Sequence, residues 1–379
     1  MRKAKFIHAE LRQGARPEEV LGRSALREET MPSTKKEIKH RSTAYYLVFV
    51  PGAVLLTIVV GWSIFWYFVS RQTAAAVTNW MTHEAQAGRN WTCPDQKIGG
   101  FPFTVEVSCT NLLFQGTIID KTLTGTVGGF RATSPLLRND NLLAKIEPPL
   151  TAKSSDGTID MTVRWDDLYL ELEGPPRAYQ RVAVAGTKVK VEAKAGTMDL
   201  LDGGFEEFHS SISLSPDRQD KSYDFTFSFN DGSVPAINNL LDSQLPLWVQ
   251  VEGTISQIGI GSAESLPDFL EQWRLANGHV DLATVRLTSG GIQFEAKGGL
   301  DLDDQHRPAG KLNAEFAGLS NAFRQLNIDP GLITAGQVLS GLFGRGSDIP
   351  GRLRLPVTLS EGFVSIGPVR TSIQIPPLY

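Results

Sequence analysis

The chain has 379 residues, 41% of them hydrophobic, which is ample for a large buried core. Charge is divided unevenly: residues 1–42 hold 11 Lys and Arg against 6 Asp and Glu, whereas residues 71–379 hold 26 against 35. The acidic majority argues against nucleic acid as a partner, because such a surface needs concentrated positive charge.

Residues 1–42 read as a cytoplasmic tail, with a helix candidate around EEVLGRSALREE and then a polar run, MPSTKKEIKH. Residues 43–70 follow as a transmembrane helix. From Tyr45 to Val69 no side chain is charged, and about 20 such residues cross a hydrocarbon layer of ~30 Å. Tyr45 and Tyr46 stand at one end and Trp62, Trp66 and Tyr67 near the other, matching the two headgroup levels. A cleaved signal fits worse, since its apolar region is about 7–15 residues long and ends in small residues. TAAAV at 73–77 is the one cleavage-like spot. Lys35, Lys36, Lys39 and Arg41 precede the run and Arg71 alone follows closely. Basic flanks stay in the cytoplasm, which predicts a single-pass protein of a bacterial inner membrane with its carboxy-terminal body in the periplasm.

Residues 71–91 predict a stalk helix, with no Pro or Gly before Gly88. The character changes near 92. GGFPFTVEVSC alternates Phe101, Phe103, Val105, Val107 and Cys109 with Gly, Pro and polar residues, the period of a strand with one wet face. MTVRWDDLYLELEG, KVKVEAKAG, YDFTFSFND, GIQFEAKGGLDLDD, KLNAEFAG and RLRLPVTLSEG repeat that pattern. Many of them stop at Gly or Asp-Gly, which suits tight antiparallel turns.

Helices are expected at 233–245 and 265–278, the second with Ser265 at its start and Gly278 at its end. In it Leu266, Phe269, Leu270 and Trp273 make an apolar stripe, a candidate ligand or lid face. Two more candidates fall within 319–343, around Pro330 and Gly331. The fold class is therefore a β-rich α+β arrangement of long twisted antiparallel sheets with short covering helices, preceded by one transmembrane helix. The body at 92–379 divides in expectation into two related sheet-and-helix units, about 92–255 and 256–379.

Cys93 and Cys109 are the only cysteines. On the oxidising side of the membrane they are expected to join in a disulfide. Free thiols or a metal site are the alternatives, the latter poorly supported by two cysteines without nearby histidine. No nucleophile elbow, His-Glu-x-x-His pair or complete phosphate loop occurs. GLFGRGS at 341–347 lacks the Lys-Ser/Thr pair, and Asp301, Asp303 and Asp304 lack calcium-loop spacing, suiting a hairpin turn instead. Asp166 and Asp167 are adjacent and would face opposite sides of a strand. No catalytic, cofactor or metal residue is assigned, and no enzyme activity is expected.

GGFPFTVEVSC, GLDLDDQHRPAGKLNAEFAGL and LPVTLSEGFVSIGPVRTSIQIPPLY together resemble an alphaproteobacterial envelope family known as a domain of unknown function, number 2125. The likeness covers roughly residues 72–379. It implies an inner-membrane protein with a periplasmic domain, distantly similar to AsmA-type proteins, whose curved β structures are associated with lipid transport or membrane homeostasis. It implies no catalytic residues. The partners expected are the lipid bilayer and a lipid or other hydrophobic ligand handled in envelope homeostasis. The alternative is a non-enzymatic assembly factor that contacts an envelope protein.

Overall fold

The computed structural model describes residues 43–118, 121–137, 140–175, 179–196, 198–216, 218, 221–258, 265–318 and 352–379. The tail, the helix candidates within 319–343 and the 341–347 glycine cluster lie outside the described residues. Two compact units are separated within the first helix, one ending at Thr57 and the other running from Ile58 to Tyr379.

Helix α1, Thr43–Gln86, carries the apolar run and the stalk as one element. It is long and apolar enough to cross a membrane, and its most apolar window has nothing buried. Pro51 lies inside it, a position tolerated in membrane spans. The helix stops at Gln86, and the end of the expected stalk is instead strand β1, Asn90–Thr92.

Among the described residues, the strands of the second unit form one antiparallel sheet of 17 strands. Strands β2 (Lys97–Gly99) and β1 both pair with β3, Thr104–Ile118. From β3 the ladder runs through β4 (Lys121–Pro135) to β5 (Asn141–Ser154). The next position is shared by β6 (Ile159–Arg164) and β7 (Asp167–Glu173), which pair with opposite ends of both β5 and β8, Arg181–Ala195. The sequential order continues through β9 (Met198–Leu214), β10 (Tyr223–Gly232), β11 (Leu247–Ile255) and β12 (Val280–Ser289). Strands β13 (Ile292–Leu302), β14 (Pro308–Ala317), β15 (Leu353–Ser360), β16 (Phe363–Ile366) and β17 (Val369–Gln374) complete it.

A line of irregular residues crosses β3 to β8. Asn111, with φ 55°, stands opposite Gly128, between the Thr110–Gly129 and Leu112–Val127 pairs. Opposite Gly128, β5 inserts Pro148 and Pro149, whose nitrogens cannot donate. A Cβ at Gly128 would lie 2.1 Å from the Pro148 carbonyl oxygen, so only glycine lets the two backbones approach this closely. One strand further, the ladder breaks between β6 and β7. Trp165 turns inward there, and its Nε1 donates to the Ile146 carbonyl at 2.9 Å. Lys188, φ 49°, continues the line in β8. The extra residue of β5 makes a bulge, which bends and twists its strand.

A hydrophobic core cluster covers β10 to β16, where alternate side chains point to one face. Leu312 registers against Val357, which registers against Ile366. Beside this row Phe294 faces Phe316 with ring centroids 5.3 Å apart, and Phe316 faces Leu353. Helix α2, Pro235–Leu241, adds Leu241 to the cluster. Helix α3, Leu266–Leu275, begins at Ser265, whose hydroxyl accepts from the Asp268 amide at 3.2 Å. The acidic residues after β13 form the expected hairpin turn: Asp303 accepts the Gln305 and Arg307 amides and pairs with the Arg307 guanidinium at 2.8 Å.

Candidate functional site: the groove beside the membrane helix

Burial along α1 changes character at Trp62. From Tyr46 to Gly61 every residue is exposed. From Trp62 onward, a protected stripe recurs at Trp62, Trp66, Val69, Ser70, Thr73, Val77, Met81 and Glu84. This is the spacing of one helix face, and it turns toward the first strands of the sheet.

The indole groups set the distance. Trp62 Nε1 donates to the Pro102 carbonyl at 2.7 Å, and Trp66 Nε1 to the Thr104 carbonyl at 2.9 Å. Phe101 meets Trp66 edge-on at 5.5 Å, and Phe103 lies 6.4 Å from Trp62. Further along the helix Trp80 packs on Trp91, which packs on Phe114 of β3. At its end Glu84 pairs with Arg89 at 2.6 Å, and that hydrogen bond holds the Glu84 carboxyl below its ordinary range. The chain then descends through β1 and β2 to the Gly100–Phe103 turn and climbs again in β3. The disulfide between Cys93 and Cys109, S–S 2.02 Å with Cα atoms 5.9 Å apart, ties the descending segment to the ascending strand. Asp95 reinforces it by accepting the Thr110 amide at 3.0 Å, together with the Thr110 hydroxyl, which lowers the Asp95 carboxyl.

Between helix and sheet these tryptophans leave a groove of about 370 Å³. Its helix wall is Phe65, Val69, Thr73 and Ala76, a stripe that rises about 16 Å at 1.5 Å per residue. Val105 and Val107 of β3 with Ala132 and Ser134 of β4 form the floor, and Leu136, Leu142 and Tyr179 close one side. The lining is mostly apolar, with a few hydroxyl and amide groups, the composition of small-molecule sites in general. Phe65 and Val69 belong to the uncharged run, so the groove begins at the end of the membrane-length apolar segment.

The stripe singled out in the sequence is divided by the structure. Trp273 is 5% exposed, donates from Nε1 to the Ser256 carbonyl at 2.7 Å, and packs over Gly278. Phe269 and Leu270 are half-buried, whereas Leu266 is 64% exposed. The groove beside α1 draws its lining from other elements. Its residues were missed because Phe65 and Val69 read simply as membrane sequence, and no element is expected from the sequence around Ala132 and Ser134. The available signal was the small Thr73 and Ala76 continuing the Phe65–Val69 spacing.

Other polar groups are placed as follows. Cys93, Asp95 and Cys109 come together as metal-type donors, but both sulfurs are consumed by the disulfide. Asp166 and Asp167 face different partners, Lys188 at 2.8 Å and Lys145 at 2.9 Å. Beside α3, Tyr379 stacks on His306 at 4.3 Å and its hydroxyl donates to Glu271 at 2.6 Å. Arg274 also pairs with Glu271, at 2.8 Å.

Residues 66–373 match the family described as an uncharacterized protein conserved in bacteria, DUF2125. The chain belongs to this family. The DUF2125 match begins at Trp66, the residue that ties the helix to Thr104, and therefore includes most of the groove's helix wall. No curated protein and no solved structure matches the chain.

Proposed function

We propose that this DUF2125 protein is a single-pass inner-membrane protein whose periplasmic sheet takes up the acyl chain of a lipid, in the service of envelope homeostasis. The observation that carries the reading is the groove: an apolar channel whose helix wall is the continuation of the membrane span itself. A lipid tail leaving the bilayer would exchange one apolar surrounding for another, and each methylene kept from water is worth about 0.8 kcal/mol. The hydroxyls of Thr73 and Ser134 lie within the groove lining, where they suit the polar end of such a ligand. The likeness to AsmA-type envelope proteins suggested by the sequence points the same way. The basic tail and the sparsely basic stretch after Arg71 support a cytoplasmic amino terminus.

The test is lipid analysis of full-length protein extracted gently from its native membrane, beside an A76F variant that fills the groove from the helix side. Wild type is expected to carry a bound lipid that A76F and the anchor segment alone do not. Equal lipid on all three would end the proposal. Protease added to osmotically opened cells tests the orientation, and digestion of the sheet is the expected result.

A further inference from the structure

The Gly100–Phe103 turn was expected to be part of a strand, and the structure makes something else of it. Gly100 takes φ 96°, and Thr104 donates back to its carbonyl at 3.0 Å, so β3 starts only at Thr104. Phe101 and Phe103 are thrown off the sheet, 53% and 66% exposed. In the adjacent turn Leu136 donates to the Phe103 carbonyl at 3.0 Å, and Leu137 is 77% exposed. Three large apolar side chains thus crowd one tip of the sheet, with no charged residue between Lys97 and Glu106. In water such a patch is a liability.

Its level relative to the lipid is set by its hydrogen bonds. A span of about 20 residues counted from Tyr45 ends near Ile64, between the two tryptophans that hold the turn through Pro102 and Thr104. Phe103 is beside Trp62, on the lipid side of that boundary, and Phe101 beside Trp66, at the headgroup level. We propose that the Gly100–Phe103 turn, with Leu137, is a second membrane contact that sits in the same leaflet as the end of α1. The occupant of the patch is the bilayer interface. The turn is uncharged, is continuous with the membrane helix, and is flanked by the exposed Lys97, whose ammonium suits lipid phosphates. Two attachments in place of one fix the tilt of the sheet and keep the groove mouth at the lipid surface.

The experiment places a photoreactive benzoylphenylalanine at position 103 of the full-length protein in phospholipid vesicles. A second protein carries it at Thr117, exposed at the other end of β3. Retention of the Cys93–Cys109 disulfide confirms folding in each. The expected result is a peptide mass shift of one phospholipid at position 103 and none at 117. No lipid adduct at 103, or equal adducts at both positions, overturns the proposal. Repeating it in the A76F background separates the two readings, since a filled groove leaves the 103 adduct unchanged.

Discussion

Trp66 donates its indole proton to the carbonyl oxygen of Thr104 across 2.9 Å, 38 residues along the chain. The β2–β3 ladder ends at the Gly99–Glu106 pair, so the indole supplies a donor to the strand edge where β2 has turned away. Trp62 does the same for Pro102. A W62F/W66F variant keeps two large apolar rings and loses both donors, each worth about 0.5–1.5 kcal/mol. The expected outcome is earlier proteolytic cutting at the Gly99–Phe103 turn with the rest of the sheet intact, read by limited proteolysis and mass mapping.

The Cys93–Cys109 disulfide closes a separation of 16 residues. Replacing both cysteines by serine is expected to cost roughly 3 kcal/mol, chiefly by freeing the unfolded chain. Urea unfolding of the detergent-solubilised protein measures it. Because the bond joins the segment after β1 to β3, amide exchange should rise first in residues 90–99.

Glu271 is held at about 2, first by the Arg274 guanidinium and next by the Tyr379 hydroxyl. A carboxyl whose folded value lies below its unfolded one stabilises the fold above that unfolded value, near 4.5 here, and the contribution fades as pH falls through about 2. The segment ending in Tyr379 is therefore expected to loosen between about pH 4.5 and 2. Leu378, whose amide donates to the His306 carbonyl at 2.9 Å, reports this in hydrogen exchange. E271Q should remove the pH dependence in that window.

Local pattern made much of this fold legible. The alternation of Val105, Val107 and Cys109 marks a buried face, and all three are buried. Ser265 caps its helix as its position suggested. The disulfide followed from two cysteines beyond a membrane span, and it is present. Alternation misled at Phe101 and Phe103, because apolar spacing continues through Pro102 although Gly100 breaks the strand there. The groove was not legible at all. It exists because Trp62, Trp66 and Trp80 set how far a helix stands from strands up to 80 residues away, a distance that no local period encodes. Likewise the aligned irregularities at Asn111, Gly128, Pro148 and Trp165 become one crease only after the strands are registered.

On the proposed function, the groove between α1 and β3–β4 opens to membrane lipid. This is tested most directly with phospholipid bearing a photoreactive group at the end of its acyl chain, incorporated around the full-length protein and activated by light. Adducts are expected on peptides containing Phe65–Ala76 and Val105–Val107, lost in A76F. Adducts confined to Tyr46–Gly61, unchanged by A76F, would contradict it.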